Sequence, residues 1–141
     1  MTDTYNLDRF LEAQEGSYNT SYEEIKKGRK ISHWMWFIFP QFKGLGISET
    51  SKKYAIQSKD EAIEYYNHPV LGSRLIEITK VLLKIEGKSA HDIFGSPDDV
   101  KLKSCMTLFS LVQKENDLFN RVLLKYFEGK KSWKTIELLN T

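Results

Sequence analysis

The chain has 141 residues, of which 40% are hydrophobic and 28% charged, and its formal net charge is +2. A chain of this length usually folds around one core, so we expect a single domain over residues 1–141. So small a net charge gives little support to nucleic-acid binding, and the single cysteine, Cys105, excludes an internal disulfide.

The compartment is predicted from the cysteine content and from the start of the chain. A single cysteine suits a reducing environment. The polar N-terminal segment lacks the basic start and apolar centre of a signal peptide. No apolar run reaches the roughly 20 residues of a membrane helix. We therefore expect a cytoplasmic protein that does not associate with a membrane.

Helix start signals recur along the whole chain. The predicted helices begin near Asn6 or Asp8, Ser21, Ser32, Ser48, Ser58, His68, Ser89, Ser96, Asn116 and Ser132. Ser21 and Ser58 each precede a glutamate by three residues, which predicts capping boxes, and Ser32 is predicted to cap the next helix. Only residues 37–39 resemble a strand. The sequence therefore predicts an all-α fold, with about seven to nine mostly short helices in one irregular orthogonal bundle.

The most unusual segment is Ser32–Phe42, which holds two tryptophans and three phenylalanines. A short helix that is apolar on all sides must be largely buried, so this segment belongs to the core. His33, Gln41 and the indole N–H groups of Trp34 and Trp36 need polar partners if they are buried. The segment can therefore be core alone, or core that also forms the wall of a small-molecule pocket.

The helix that begins near His68 has apolar residues at helical spacing, and it contains Gly72 and Arg74. A glycine inside a helix costs about 1 kcal/mol relative to alanine, which indicates close packing or the approach of a ligand. Arg74 can bind a carboxylate or phosphate with two hydrogen bonds. The alternative is that it pairs with Glu77, Asp98 or Asp99. His68 is predicted to lie at the helix edge rather than to act as a base.

The third segment of interest is Ile93–Phe109, where a helix is predicted to begin near Ser96. Lys101 and Ser104 follow in the first turns of this helix and can reach the edge of a cleft. Backbone N–H groups at such a helix start can bind an anion, but Asp98 and Asp99 already occupy its positive end. A plain amphipathic helix with acidic residues in its first turn is the alternative.

Several kinds of site are not predicted. The three histidines have no second ligand at metal-binding spacing, and we expect no metal site. The chain has neither a glycine-rich phosphate loop nor a nucleophile elbow. Cys105 is interpreted as a small buried hydrophobic residue. The basic cluster Lys26–Lys30 can attract a phosphate, but it is interpreted as the charged end of a helix.

Three sequence motifs resemble one known family. They are SHWMWFIFPQ from Ser32, HPVLGSRL from His68 and IFGSPDDVKLKSCMTLF from Ile93. Together they are similar to an uncharacterised family of small bacterial and fungal proteins, some of which carry the mistaken label calpastatin. The resemblance covers residues 6–139. It implies an all-helical fold and no established activity, cofactor or catalytic residue.

Two hypotheses for function remain open. The first is a site for a small polar or anionic ligand, such as a metabolite or nucleotide, with or without catalysis. Its predicted contacts are His33, Trp34, Trp36, Gln41, Arg74, Lys101 and Ser104. The second is a protein-interaction or regulatory module without catalytic activity. A nucleic-acid partner is the least favoured interpretation, and the sequence does not predict an oligomeric state.

Overall fold

The computed structural model describes residues 3–141, which form ten α-helices and no β-strand. The helices are α1 Asp8–Glu15, α2 Tyr18–Lys26, α3 Met35–Ile38, α4 Glu49–Tyr54, α5 Lys59–Asn67, α6 Leu71–Lys84, α7 Ala90–Phe94, α8 Asp98–Val112, α9 Leu118–Phe127 and α10 Trp133–Leu139. The predicted all-α class is confirmed. The described residues contain one helix more than the predicted upper number, and residues 37–38 of the strand-like run lie in α3.

Serine side chains start several helices, as the sequence predicts. Ser48, Ser58 and Ser132 each accept a hydrogen bond from the backbone N–H three residues later, at 3.1–3.2 Å. Ser89 does the same and forms a full capping box with Asp92. These bonds satisfy donors that have no partner inside the helix, so they fix where α4, α5, α10 and α7 begin.

The predicted caps at Ser21 and Ser32 are wrong, and the capping box predicted at Ser58 is only half formed, because Glu61 accepts from the N–H of Gln57 instead of that of Ser58. Helix α2 begins at Tyr18, one turn earlier, because Tyr18, Ser21 and Ile25 form its buried face. Ser21 therefore lies inside the helix, and its hydroxyl donates to the carbonyl of Tyr18. Helix α3 follows Trp34 without a side-chain cap.

Two helices are capped by residues that the sequence rules did not select. Asp3 accepts hydrogen bonds from the N–H groups of Leu7 and Asp8, so it caps α1 in place of Asn6 or Asp8. The Nδ1 atom of His68 accepts from the N–H groups at the start of α6, at 3.1 and 3.2 Å. This contact gives His68 the helix-edge role that was predicted for it.

Helices α6 and α8 form the centre of the fold. Helix α8 packs against α5, α7, α9 and α10, and α6 packs against α2, α5 and α9. Cys105 on α8 is fully buried, in agreement with its interpretation as a core residue. None of the helices within residues 3–141 is long and apolar enough to cross a membrane.

Gly72 allows α6 to pack directly against the end of α5. A Cβ atom at this position would lie 1.8 Å from the carbonyl oxygen of Tyr66. No side chain fits at that distance, so the glycine is explained by backbone packing rather than by a ligand.

Arg9 joins α1 to α5, to the last turn of α4 and to the segment between α4 and α5. Its guanidinium donates to Glu61 Oε2 at 2.6 Å and to the carbonyl oxygens of Lys53 and Ala55 at 2.7 and 2.9 Å. Both side chains are almost fully buried. Because the charges are paired and hydrogen-bonded, this contact fixes the segment that pairs with residues 41–43.

Candidate functional site

The aromatic segment divides into a buried part and a surface part. Trp34 is 2% exposed and packs against Phe39 and Phe94, with ring centroids 6.1 and 6.4 Å away. Trp36 is half-buried at the surface. The segment is therefore both core and the wall of a surface depression, which combines the two interpretations left open by the sequence.

Glu24 on α2 fixes the start of the aromatic segment. Its carboxylate accepts hydrogen bonds from the N–H groups of Ile31 and Ser32, the Ser32 hydroxyl and the Trp34 indole, at 2.6–2.9 Å. Burial by itself would raise the pKa of Glu24, but these hydrogen bonds lower it to about 2. The charged carboxylate therefore holds residues 31–34 in place.

Asp98, in the first turn of α8, binds two lysines. Its carboxylate lies 2.9 Å from Lys30 Nζ and 3.0 Å from Lys101 Nζ. Burial raises the pKa of Asp98, but the hydrogen bonds from both lysines have the larger combined effect and lower it. The cluster of three charges carries a formal charge of +1 and connects α8 to the segment that precedes α3.

Trp36 lies between Lys101 and the loop that follows α3. The Lys101 ammonium is 4.4 Å from the centre of the indole ring, within the range of a cation–π contact. On the loop side, a Cβ atom at Gly46 would be 2.7 Å from Cη2 of the indole. The glycine therefore allows the loop to pack closely against the edge of the ring.

Two depressions meet at Trp36, and together we call them the cleft. The polar depression has a volume of about 280 Å³, and its lining includes Lys30, His33, Trp34, Thr50 and Asp98. The apolar depression has a volume of about 410 Å³, and its lining includes Gln41, Leu45, Ile47, Pro97, Val100 and Ser104. Trp36, Ser48 and Lys101 line both depressions.

Gln41 lines the apolar depression although its side chain is deeply buried. The residue is 3% exposed, and its Nε2 atom has no hydrogen-bond partner within residues 3–141. Its backbone is fixed, because Ile56 N–H donates to the Gln41 carbonyl and Lys43 N–H donates to the Ile56 carbonyl, both at 2.9 Å. A buried amide donor without a partner costs about 1–3 kcal/mol, so this group is available to a hydrogen-bond acceptor.

The structure brings six of the seven residues selected from the sequence to this cleft. His33, Trp34, Trp36 and Lys101 line the polar depression, and Trp36, Gln41, Lys101 and Ser104 line the apolar one. His33 is exposed, and the Ser104 hydroxyl donates to the carbonyl of Val100 at 3.2 Å.

Arg74 is the exception, because it lines neither depression. Its guanidinium donates to Gln14 Oε1 at 3.2 Å and lies 5.2 Å from the centre of the Tyr18 ring. The alternative pairing predicted from the sequence is also wrong, because no ion pair joins it to Glu77, Asp98 or Asp99 in the described part of the chain. Glu77 instead accepts a hydrogen bond from the Tyr18 hydroxyl.

Sequence reasoning missed several residues of the cleft. Lys30 was grouped with the basic end of α2, but it turns inward to Asp98 and its ammonium lies 4.9 Å from the Trp34 ring centre. Leu45 and Ile47 also line the apolar depression, and neither was selected from the sequence. Leu45 lies between two glycines and Ile47 follows the second; two large apolar residues are unusual in so short an exposed loop, and this was the available signal.

The comparisons with known proteins concern the whole chain. Residues 4–139 match the family described as "Protein of unknown function (DUF1810)". The chain belongs to this family. The crystal structure of a conserved hypothetical protein from Mycobacterium tuberculosis is similar, with a TM-score of 0.97, 44% identity and 99% of each chain covered. No curated protein matches the chain.

These findings confirm the family resemblance derived from the three motifs and the all-helical fold that it implies. The family description and that of the crystallised relative assign no activity. The function is unknown.

Proposed function

We propose that the protein binds a small polar or anionic molecule in the cleft between α3, the loop after it and the start of α8. The observation that supports this most directly is Gln41. This residue lines the apolar depression, and its amide nitrogen is buried and has no partner in residues 3–141. Buried polar groups are nearly always paired, so a ligand atom is a natural partner for this donor.

The shape and lining of the cleft also support binding of a small molecule. Its two depressions have volumes of about 280 and 410 Å³, and ligand pockets are commonly of this order. One side offers the Trp36 indole and aliphatic side chains, and the other offers two ammonium groups, an imidazole and hydroxyls. An apolar wall with a few polar groups is typical of sites for metabolites. The proposal concerns binding and assigns no catalytic residue.

A fragment titration followed by NMR tests the proposal. We would titrate ¹⁵N-labelled protein with a library of small planar and anionic fragments. The indole N–H signal of Trp36 and the side-chain amide signals of Gln41 should shift with the same fragments. The indole signal of Trp133, which is 70% exposed and lines neither depression, should not follow them.

A matched pair of variants shows whether the fragments occupy the cleft. Val100→Trp fills the edge of the apolar depression from a position that is 58% exposed. Leu124→Trp places the same side chain on α9, at a position that is 69% exposed and lines neither depression. Val100→Trp should abolish the fragment shifts and Leu124→Trp should retain them. Equal shifts in both variants, or no fragment binding to the parent protein, would contradict the proposal.

A second candidate function is recognition of a protein segment at the same cleft. Ile47 is 92% exposed and stands beside Val100 in the lining of the apolar depression. Exposed aliphatic side chains at an apolar depression favour a hydrophobic partner. Ile47→Ser should weaken binding of such a partner, whereas a small ligand held by Gln41 should be little affected.

We infer that the protein acts in the cytoplasm and that nucleic acid is not its partner. The lysines of the basic cluster Lys26–Lys30 do not form one surface. Lys26 and Lys27 lie at the C-terminal end of α2, where they complement the helix dipole, while Lys30 is bound to Asp98. Such a divided cluster offers little continuous positive surface to a phosphate backbone.

A further inference from the structure

We propose that the ligand of the cleft is a nucleoside monophosphate or a compound of the same design: a planar nitrogen heterocycle that carries one anionic group. The ring would occupy the apolar depression and the anion the polar one. This inference rests on the proposed function, and it specifies the class of ligand. Two features support it, the carboxamide of Gln41 and the charge of the Lys30–Asp98–Lys101 cluster.

The apolar depression matches a planar ring. Its lining combines the Trp36 indole with Leu45, Pro97 and Val100, which are side chains that exclude water from the faces of an aromatic ring. The ring of Trp36 is fixed on one side by Lys101 and along its edge by Gly46. A wall that is already rigid loses little conformational entropy when a ligand binds.

Gln41 explains why the ring should contain nitrogen. A carboxamide presents one donor and one acceptor side by side, and it pairs best with an edge that offers the opposite pair. Nucleobases have such edges, and glutamine reads adenine in this way in DNA complexes. A purely hydrocarbon ring would leave the buried Nε2 atom without a partner, so it would gain less from the same depression.

The charge of the polar depression indicates one anionic group. Lys30 and Lys101 share the carboxylate of Asp98, which leaves a formal charge of +1 at this end of the cleft. An anion can approach Lys101 without displacing Lys30, because the Lys30 side chain is 7% exposed and that of Lys101 is 23% exposed. The hydroxyls of Ser48 and Thr50 are exposed in the same lining and can donate further hydrogen bonds.

One molecule can span both depressions, because they share Trp36, Ser48 and Lys101. Lys101 is central to this arrangement. Its ammonium contacts the ring of Trp36, which lines the proposed ring site, and the carboxylate of Asp98, which lines the proposed anion site. A ligand with its anion one sugar unit away from its ring would contact Lys101 at the junction.

Calorimetric titration with three sets of probes tests the inference. The probes are the four common ribonucleoside 5′-monophosphates, the corresponding nucleosides and inorganic phosphate. At least one monophosphate should bind about tenfold more tightly than its nucleoside and than phosphate, since each tenfold step corresponds to about 1.4 kcal/mol. Competition with a fragment that shifts the Trp36 indole signal should place it in the cleft.

Two variants separate the contributions of ring and anion. Gln41→Leu should weaken the nucleoside and the monophosphate by a similar factor, about tenfold. Lys101→Met keeps the apolar stem over Trp36 and should weaken only the monophosphate. Lys103→Met is the control, because it removes the same charge from α8 at a residue that lines neither depression. It should leave all affinities unchanged.

The inference is overturned if none of the four monophosphates binds at millimolar concentration while fragments still occupy the cleft. In that case the cleft is a ligand site for another class of molecule, and the proposed function stands. It is also overturned if Lys101→Met and Lys103→Met weaken the monophosphate equally. If neither fragments nor monophosphates bind the cleft, the proposed function fails as well.

Discussion

The ammonium of Lys101 lies 4.4 Å from the centre of the Trp36 ring and 3.0 Å from the carboxylate of Asp98. This lysine therefore joins the aromatic segment to the start of α8, two parts of the chain that are far apart in sequence. The same contacts form the junction between the polar and the apolar depression. The cleft thus lies where the aromatic segment meets the start of α8.

Asp98→Asn should destabilise the protein. The substitution removes the charge that pairs with Lys30 and Lys101, and hydrogen bonds to charged groups contribute about 1.5–3 kcal/mol to stability. Asp99→Asn is the control, because it removes the same charge from the first turn of α8, where the carboxylate lies 3.6 Å from an exposed His91 and accepts from the N–H of Val100 but contacts no lysine in the described residues. It should cost less than 1 kcal/mol, about the contribution of a charge to the helix dipole. Urea unfolding of both variants at neutral pH measures the difference, and equal losses would contradict the pairing.

The two tryptophans of the aromatic segment should differ in their contribution to stability. Trp34→Ala removes a buried ring and should cost about 3–5 kcal/mol. Trp36→Ala removes a half-buried ring and should cost less than half as much, while it abolishes fragment shifts at the Gln41 amide. Denaturant unfolding of both variants provides the comparison. A larger loss of stability for Trp36→Ala than for Trp34→Ala would contradict the prediction, because Trp36 would then be the core residue.

Glu24 should make stability depend on pH in the acid range. Its pKa is lowered from 4.5 to about 2 in the folded protein. A lowered pKa stabilises the fold above the unfolded value, and this contribution is lost as pH falls from about 4.5 to 2. Glu24→Gln should therefore reduce stability at pH 7 and flatten the dependence below pH 4.5. Glu23→Gln, at an exposed neighbouring position, should change neither.

The sequence predicted the helices better than their first residues. Side-chain caps at Ser48, Ser58 and Ser132 depend on bonds within one turn, so local rules identified them. Ser21 failed because packing of Tyr18 against the rest of the fold extends α2 by a turn. Asp3 was missed because it caps α1 from outside the usual position.

The residues of the candidate site also divide into those that a local sequence pattern indicates and those that depend on contacts between distant parts of the chain. Gln41 and Trp36 were selected because polar groups within apolar segments need partners, and Ser104 was selected for its place in the first turns of the helix near Ser96. Lys30 was missed because its contact with Asp98 joins residues 68 positions apart, and no local pattern encodes that distance. Arg74 was placed in the cleft on the basis of Gly72, but that glycine is required by the carbonyl of Tyr66.

Gly72→Ala should unfold the protein or destabilise it by more than about 3 kcal/mol, as expected for severe overpacking. The added Cβ atom would lie 1.8 Å from a backbone oxygen that cannot move without shifting α5. Gly16→Ala is the matched control, because a Cβ atom there meets nothing within 4 Å and the backbone φ is −99°. Thermal unfolding should show little change or a small gain for Gly16→Ala. Similar melting temperatures for both variants would refute the close packing.

A crystal of the protein soaked with fragments shows whether the cleft beside Trp36 and Gln41 binds a ligand. We predict electron density for a planar fragment in the apolar depression, with an acceptor atom within hydrogen-bonding distance of the Gln41 carboxamide. Ordered fragments found only elsewhere on the protein, with the Gln41 carboxamide unchanged and still unpaired, would contradict it.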